Sequence, residues 1–181
     1  MKNSIKNTMI YALAISLFLV GGCATAKESS GKIIAPWEGE GEVFKVGPKL
    51  YQFVGKFEGI MYIEKGGSEG DFDTAIFVCP TIQDIHVDTM KTEATGRCHI
   101  IGAPGNVYAK FTCKGEVGSC KGKFTITGGT DEYEGITGES DMISRAAFGG
   151  LSLDTASGSA MRTATGLVVW PNMKVNIPKM K

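Results

Sequence analysis

Long stretches of the chain alternate apolar and polar side chains at successive positions, which is the pattern of half-buried β-strands. The longest stretch runs from Tyr51 to Glu64 and carries apolar residues or glycine at its odd-numbered positions. Gly55 and Gly59 fall on that apolar face, where glycines let a long strand bend as the wall of a barrel requires. The pattern predicts a long curved strand with one face in a core.

Shorter stretches of the same kind follow, separated by turns rich in glycine and proline. Cys79-Pro80 is predicted to end the next strand, Gly102–Gly105 to form a hairpin turn, and Pro171 to end the last strand. With about eight strands and no amphipathic helix of useful length, the chain is predicted to be all-β, as a barrel or a sandwich. The shorter predicted strands cover residues 74–78, 93–101, 106–113, 123–127, 139–148 and 159–170.

The stretch KGKFTITGGTDEYEGITGES, residues 121–140, changes its pattern halfway. Its first part alternates as a strand, with Phe124 and Ile126 on the apolar face. Residues 128–130 then break the strand, because the two glycines there can adopt positive φ without steric cost. Residues 131–134 are too few for a stable helix, so they are predicted to form a single helical turn before the next strand.

This corner resembles a segment of the allene-oxide-cyclase-like and dirigent-like β-barrel superfamily, and it is most similar to the uncharacterised bacterial members. The resemblance implies that residues 43–181 form a single antiparallel β-barrel rather than a sandwich. Asp131 stands where the family usually has a further glycine, and Asp tolerates a left-handed turn. The matching residues are Phe124, Thr127, Gly128, Gly129, Thr130, Tyr133, Gly135, Ile136 and Gly138.

The resemblance implies a fold but assigns no activity, since one barrel serves different functions within the superfamily. Its plant cyclases use a glutamate and a proline-held water in an apolar cavity, and dirigent proteins use acidic residues and an arginine. None of these matches a numbered position outside the corner, so no catalytic residue is carried over. The sequence also lacks a nucleophile elbow and a phosphate-binding glycine loop, and we expect no cofactor.

The first 22 residues have the features of a secretory signal peptide. Lys2 and Lys6 form a basic start, and the apolar run that follows, residues 9–20, is shorter than the ~20 residues that span a bilayer. The sequence VGGC at residues 20–23 resembles the cleavage box of bacterial lipoproteins. By that resemblance, Cys23 becomes the first residue and carries acyl chains.

Acyl chains on Cys23 would anchor the protein almost permanently in a lipid bilayer. Ala24 stands where lipoproteins retained in the inner membrane usually carry aspartate, so the resemblance implies the outer membrane, facing the periplasm. The alternative is an ordinary signal peptide cut near Ala24 or Ala26. Without Lys2 and Lys6, 17 basic residues face 19 acidic ones, and this net charge gives no reason to expect nucleic acid.

Residues 23–42 show no sustained period and are rich in glycine, serine, glutamate and lysine. They are predicted to form a tether that docks on the barrel through Ile33, Ile34 and Trp37. An extended tether of this length would reach ~60 Å from the lipid.

Four cysteines remain besides Cys23, and an even number in an exported protein predicts disulfides. Cys113 and Cys120 flank a turn and are predicted to pair across a hairpin, which leaves Cys79 for Cys98. A metal site that also uses His86 and His99 is the alternative. The absence of C-x-x-C and H-x-x-x-H spacings disfavours it, and we expect no metal.

Several side chains with acid–base chemistry lie on predicted polar faces. Asp84, His86 and Asp88 alternate within an extended segment, where a carboxylate beside an imidazole could orient a general base. The simpler interpretation is the solvent-facing side of a strand, with Ile85 and Val87 turned inwards. The same interpretation, a solvated surface, applies to the remaining candidates, which are His99, Glu132 and Glu134.

The predicted interior bears on the choice between binding and catalysis, and the sequence leaves that choice open. An eight-stranded barrel is just wide enough to be filled by side chains or to hold one small ligand. We expect a lipoprotein that binds a small lipophilic molecule or has a structural role in the envelope. The alternatives are an isomerase or cyclase with a lipophilic substrate and a protein–protein interaction module whose partner is unknown. No titratable residue falls among the expected inward residues, which are Phe53, Phe57, Phe111, Phe124 and Ile126.

Overall fold

The protein is a closed barrel of eight antiparallel strands that follow one another in sequence order. A computed structural model describes residues 27–64, 72–147 and 164–178. The strands are β1 (Lys27–Lys45), β2 (Leu50–Glu64), β3 (Phe72–His86), β4 (Lys91–Gly102), β5 (Gly105–Glu116), β6 (Ser119–Gly129), β7 (Thr137–Ala146) and β8 (Ala164–Ile177). Each strand pairs with the next, and β8 pairs with β1 to close the ring. The predicted single antiparallel barrel is therefore confirmed.

The core of the barrel is built from the alternate residues of each strand that point inwards. Phe53 and Phe124 are the largest apolar side chains that are fully buried. Glycines face several of the large rings across neighbouring strands. A Cβ at Gly166 would overlap the indole of Trp37, and a Cβ at Gly96 would overlap the ring of Phe111. The rings thus lie flat over glycines, which lets large aromatic side chains fit in a narrow barrel.

The predicted tether is wrong from residue 27 onwards, because β1 begins at Lys27 and pairs with both β2 and β8. Ile33 and Trp37 point inwards and are buried, so the side chains predicted to dock a tether belong to the barrel wall. Glycines at inward positions 39 and 41 interrupt the apolar alternation of this strand and hide it in the sequence.

Two prolines predicted to end strands lie within them instead. β3 continues through Pro80, where the β3–β4 ladder passes from the pair Val78–His99 to the pair Thr81–Gly96 without using that residue. β8 continues through Pro171, beside irregularities in its pairing with both neighbours. A proline has no N–H to donate, so both sites are gaps or bulges in the ladder.

The corner between β6 and β7 contains the predicted helical turn, but the strand break predicted to begin at Gly128 is wrong. Gly128 and Gly129 are the last residues of β6, because they continue the ladder opposite Tyr108 and Val107, and Gly129 does not have positive φ. A single 3₁₀ turn, Asp131–Tyr133, follows the strand.

Asp131 has φ 55°, in the left-handed region that aspartate tolerates, as predicted for this position. Thr130 binds the start of β5 twice: its Oγ1 accepts from the Asn106 N–H at 3.1 Å, and its own N–H donates to the Asn106 carbonyl at 2.9 Å.

Some predictions fall on residues outside the described ranges. These include the signal peptide and Cys23, together with Phe148 and the predicted start of the last strand at 159–163. Within the described ranges, no helix has the length and apolar character needed to cross a membrane.

Candidate functional site

A cavity of about 110 Å³ lies inside the barrel. Most of its wall is apolar, and six of the described lining residues are aromatic. The Trp37 and Phe57 rings meet edge to face with centroids 5.0 Å apart, and Trp170 packs edge to face against Phe124 at 5.1 Å and against Phe77 at 6.5 Å. Packed rings of this kind have few alternative rotamers, so they hold the shape of the space between them.

One end of the barrel forms the rim of the cavity. The turn between β5 and β6, Val117–Ser119, lines it, together with Ala146 at the end of β7 and Ala164 at the start of β8. Gly118 has φ 85°, a conformation that favours glycine and allows this tight turn. The corner with the 3₁₀ turn lies at the opposite end of the barrel, where β6 ends and β7 begins.

Both predicted disulfides are present and line the cavity. Cys79 and Cys98 join β3 to β4 with their Cα atoms 4.1 Å apart, and Cys113 and Cys120 join β5 to β6 with a Cα separation of 5.6 Å. These four sulfurs are therefore not free metal ligands. Among the described residues, no three His, Cys, Asp or Glu side chains are grouped to hold a metal ion.

Gln83 and Thr92 form a polar chain on one wall of the cavity. The Gln83 Nε2 donates to Thr92 Oγ1 at 2.6 Å, and Thr92 Oγ1 donates to the Asp84 carbonyl at 2.9 Å. Thr92 is buried, with 2 % of its surface exposed. The backbone of β3 therefore fixes the amide of Gln83 through the threonine hydroxyl.

A second polar pair lies on another wall. The indole Nε1 of Trp37, on β1, donates to Ser144 Oγ on β7 at 3.1 Å. The strand between them, β8, carries Gly166 opposite Trp37, so the indole can extend over it to reach the serine. The absence of a side chain at one position thus sets the place of a polar group two strands away.

Among the described residues that line the cavity, none carries a carboxylate, an imidazole, an amine, a guanidinium or a phenol. Its polar groups are one amide, three hydroxyls and two indoles, contributed by Gln83, Thr92, Ser119, Ser144, Trp37 and Trp170. None of these has a pKa near neutral pH, so the cavity wall offers no group suited to general acid–base catalysis.

Three of the four predicted ligand-binding residues line the cavity, and the fourth, Phe53, does not. Phe57, Phe111 and Phe124 line the cavity, whereas Phe53 packs behind Phe57 with ring centroids 5.6 Å apart. The sequence analysis missed the tryptophans and the polar residues Gln83, Thr92 and Ser144. Gln83 stands at an inward position between two core residues, but the predicted strand stopped before it at Pro80.

The acid–base candidates lie away from the cavity. On β3, Asp84 faces outwards and accepts a hydrogen bond from Gln52 Nε2 at 2.9 Å. Asp88 is in the turn after β3, 3.4 Å from Lys49 Nζ, and His86 is exposed. Ile85 is buried as predicted, whereas the prediction for Val87 is wrong because this side chain is 41 % exposed.

His99 lies on the outer face of β4, as predicted, but the predicted solvation is wrong. Its ring is half-buried and stacks on Tyr108 with centroids 5.3 Å apart, and its Nε2 is buried without a hydrogen-bond partner among the described residues. Glu132 and Glu134 are exposed at the corner, and neither lines the cavity. Burial raises the pKa of the corner's Tyr133, and the negative charges of Asp73 and Glu132 raise it further. These side chains form no site with the cavity.

The remaining alternative is a module that binds proteins through exposed strand edges or through loops, and this geometry bears only on the edges. Every strand of the described barrel is paired on both sides, so it presents no free edge to a partner strand. Comparison of the chain with protein-family models and with curated proteins finds no match.

Proposed function

We propose that this protein is a lipid-anchored protein of the cell envelope whose barrel binds a small lipophilic molecule without transforming it. The observation that supports binding is the cavity of about 110 Å³ with a mostly apolar wall that includes six aromatic residues. The observation that favours binding over catalysis is that no titratable side chain is present among the described residues of that wall. An isomerase or cyclase that moves a proton would need such a group within hydrogen-bond reach of its substrate.

The volume limits the ligand. An apolar cavity of roughly 150 Å³ in another protein holds benzene, so this one suits a compound of about five or six carbons, or the end of a longer chain that passes the rim. At about 0.8 kcal/mol for each buried CH₂, five carbons gain about 4 kcal/mol, which corresponds to a Kd of about 1 mM. A chain that continues past the rim binds more tightly.

The anchor is proposed from the VGGC sequence that ends at Cys23. The two disulfides support an oxidising compartment such as the periplasm, because cytosolic thiols are kept reduced. Mass spectrometry of the membrane fraction is expected to show an acylated N-terminal Cys23, and Cys23→Ala is expected to release the protein from membranes. A protein that starts at Thr25 or Lys27, or an unchanged location of the variant, would contradict the anchor.

Both tryptophans of the chain line the cavity, so intrinsic fluorescence reports on ligand binding there. Bromocyclopentane is a suitable probe, since it has five carbons and a heavy atom that quenches tryptophan. We expect saturable quenching in detergent-solubilised full-length protein and its loss in Ala164→Leu, which fills the cavity. Ala147→Leu is the matched control, because Ala147 is exposed beyond the end of β7.

Two results would overturn this function. Quenching that rises linearly without saturation, and equally in Ala164→Leu, would mean that the probe only partitions into detergent. Incubation with lipophilic compounds from the envelope, followed by chromatography, should return them unchanged. A rearranged product would favour the isomerase or cyclase instead.

A further inference from the structure

We propose that the ligand of this cavity is an uncharged molecule with one oxygen that accepts hydrogen bonds, held by Gln83 and Ser144 inside the apolar wall. This inference rests on the proposed binding function and adds the chemical class of the ligand. It follows from hydrogen-bonding groups on the cavity wall that the protein leaves unpaired.

The orientation of the Gln83 amide follows from its neighbour. Thr92 has a single hydroxyl proton, which it donates to the Asp84 carbonyl, so its oxygen must accept from Gln83. The nitrogen of the Gln83 amide therefore faces Thr92. One N–H and the carbonyl oxygen of this amide have no hydrogen-bond partner among the described residues, and Gln83 lines the cavity.

Ser144 supplies a donor from another direction. Its oxygen accepts from the Trp37 indole, so its own hydroxyl proton is directed elsewhere, and no described residue accepts it. Trp170, on the neighbouring strand β8, also lines the cavity, and its Nε1–H is buried without a partner among the described residues. Buried donors without partners are rare in folded proteins, and an acceptor in the cavity would satisfy them.

The two groups lie on opposite walls. Gln83 is on β3 and Ser144 is on β7, four strands apart in a ring of eight. An oxygen that accepts from both groups lies in the space between them, and because aromatic rings bound that space, the rest of the ligand must be apolar. Donors outnumber acceptors among the unpaired groups, which favours a ketone, ester or alcohol oxygen over an amine.

The wall also excludes charge. None of the described side chains that line the cavity is ionised, so a carboxylate or ammonium bound against them would lose its hydration without gaining a counter-ion. A neutral oxygen has a much smaller desolvation cost, which one or two hydrogen bonds offset. The cavity should therefore prefer oxygenated hydrocarbons to both plain hydrocarbons and their acids.

The test uses four compounds with the same ring, which are cyclopentane, cyclopentanol, cyclopentanone and cyclopentanecarboxylate. Each compound is titrated against bromocyclopentane bound to solubilised full-length protein. Displacement of the probe is measured as recovery of tryptophan fluorescence. We compare the wild type with Gln83→Leu and Ser144→Ala. Gln52→Leu is the matched control, because it makes the same change on the outer face of the adjacent strand β2. For each compound, the ratio of wild-type to variant affinity cancels its partitioning into detergent.

Gln83→Leu is expected to weaken cyclopentanone about tenfold and to leave cyclopentane within about twofold. Ser144→Ala should have the same selective effect on cyclopentanone. It changes the side-chain volume less than Gln83→Leu does, so it tests the inference even if Gln83→Leu does not fold. Gln52→Leu should change neither affinity. The wild type should bind the carboxylate at least tenfold more weakly than the ketone.

The outcomes separate this inference from the function on which it rests. If all four compounds fail to displace the probe, or the probe does not bind, the binding function itself is wrong. If they bind but both variants weaken cyclopentane and cyclopentanone equally, the cavity binds hydrocarbons and the assigned oxygen is wrong. Tight binding of the carboxylate would overturn the requirement for an uncharged ligand.

Discussion

The two ends of the barrel interior differ although the same strands build both. We call the end near the 3₁₀ corner the filled end; its interior is occupied by aliphatic side chains, which are Met61, Ile100, Val107, Ile126 and Met173. The cavity end, near the turn Val117–Ser119, carries the aromatic rings, both disulfides and the polar groups. Flexible aliphatic side chains adapt to fill a gap, whereas rings and cross-linked strands cannot collapse. An open space in this small barrel therefore depends on stiff walls.

The largest expected effect comes from loosening those walls. Replacing both Cys79 and Cys98 by alanine should lower the free energy of unfolding by about 3 kcal/mol, because the bond closes a loop with a sequence separation of 19. The Cys113→Ala, Cys120→Ala pair should cost less, about 2 kcal/mol, since its separation is 7. Urea unfolding measures both. Equal losses of unfolding free energy in the two variants, or no loss in either, would show that loop closure does not account for the stabilisation by these disulfides.

Replacing a buried alanine by the larger leucine should have different effects on stability inside and outside the cavity. Ala109 and Ala164 are both buried, but only Ala164 lines the cavity. Ala109→Leu should destabilise the protein by about 1–3 kcal/mol through overpacking, whereas Ala164→Leu should be neutral or stabilising. Thermal or urea unfolding of the pair tests this. A similar loss in both variants would mean that the cavity end has no space for a ligand.

The corner closes the filled end, and its backbone is expected to resist substitution. A Cβ at Gly129 would lie 2.6 Å from the Tyr133 carbonyl oxygen, so Gly129→Ala should cost about 1–3 kcal/mol. Asp131→Gly should instead be neutral or stabilising by less than about 1 kcal/mol, since φ 55° suits glycine. Urea midpoints of these two variants provide the comparison. A destabilised Asp131→Gly would argue against the family resemblance at this corner.

The smallest effect is a pH dependence at the same corner. Burial raises the pKa of Tyr133, so the folded protein holds this proton more tightly than the unfolded chain does. Its stabilising contribution is complete below about pH 10 and is lost as the pH rises above that value. The stability difference between wild type and Tyr133→Phe should therefore shrink or reverse above pH 10. A difference that stays constant from pH 8 to 11 would contradict a buried tyrosine.

The sequence predicted the parts of this fold that depend on local patterns. The alternation from Tyr51 to Glu64 gave β2, and the glycines after Ile126 gave the corner. Cys113 and Cys120 both fall on the apolar face of their strands and flank a turn, which predicted their disulfide. The bond between Cys79 and Cys98 followed because these were the two cysteines that remained. Each of these depends on residues close together in the chain, where a period of two or a turn residue has one physical meaning.

The missed parts depend on contacts across the barrel. Pro80 normally ends a strand, but a gap in the β3–β4 ladder accommodates it, so Gln83 was not placed inside. The cavity itself follows from how aromatic side chains from six different strands meet, and that geometry needs the strand register around the whole barrel. Ser144 looks like an ordinary hydroxyl in the sequence because its importance comes from Trp37, 107 residues away.

With the proposed anchor at Cys23, the position at which β1 begins sets the orientation of the barrel opening relative to the membrane. Only three residues separate Cys23 from Lys27. With acyl chains on Cys23, the start of β1 would lie within about 14 Å of the lipid-anchored residue. Lys27 is at the filled end, opposite the rim formed by Val117–Ser119. The filled end would then rest against the lipid headgroups while the opening faces the aqueous side. A ligand would have to leave the bilayer and arrive through water, which suits the moderate solubility of a small oxygenated hydrocarbon.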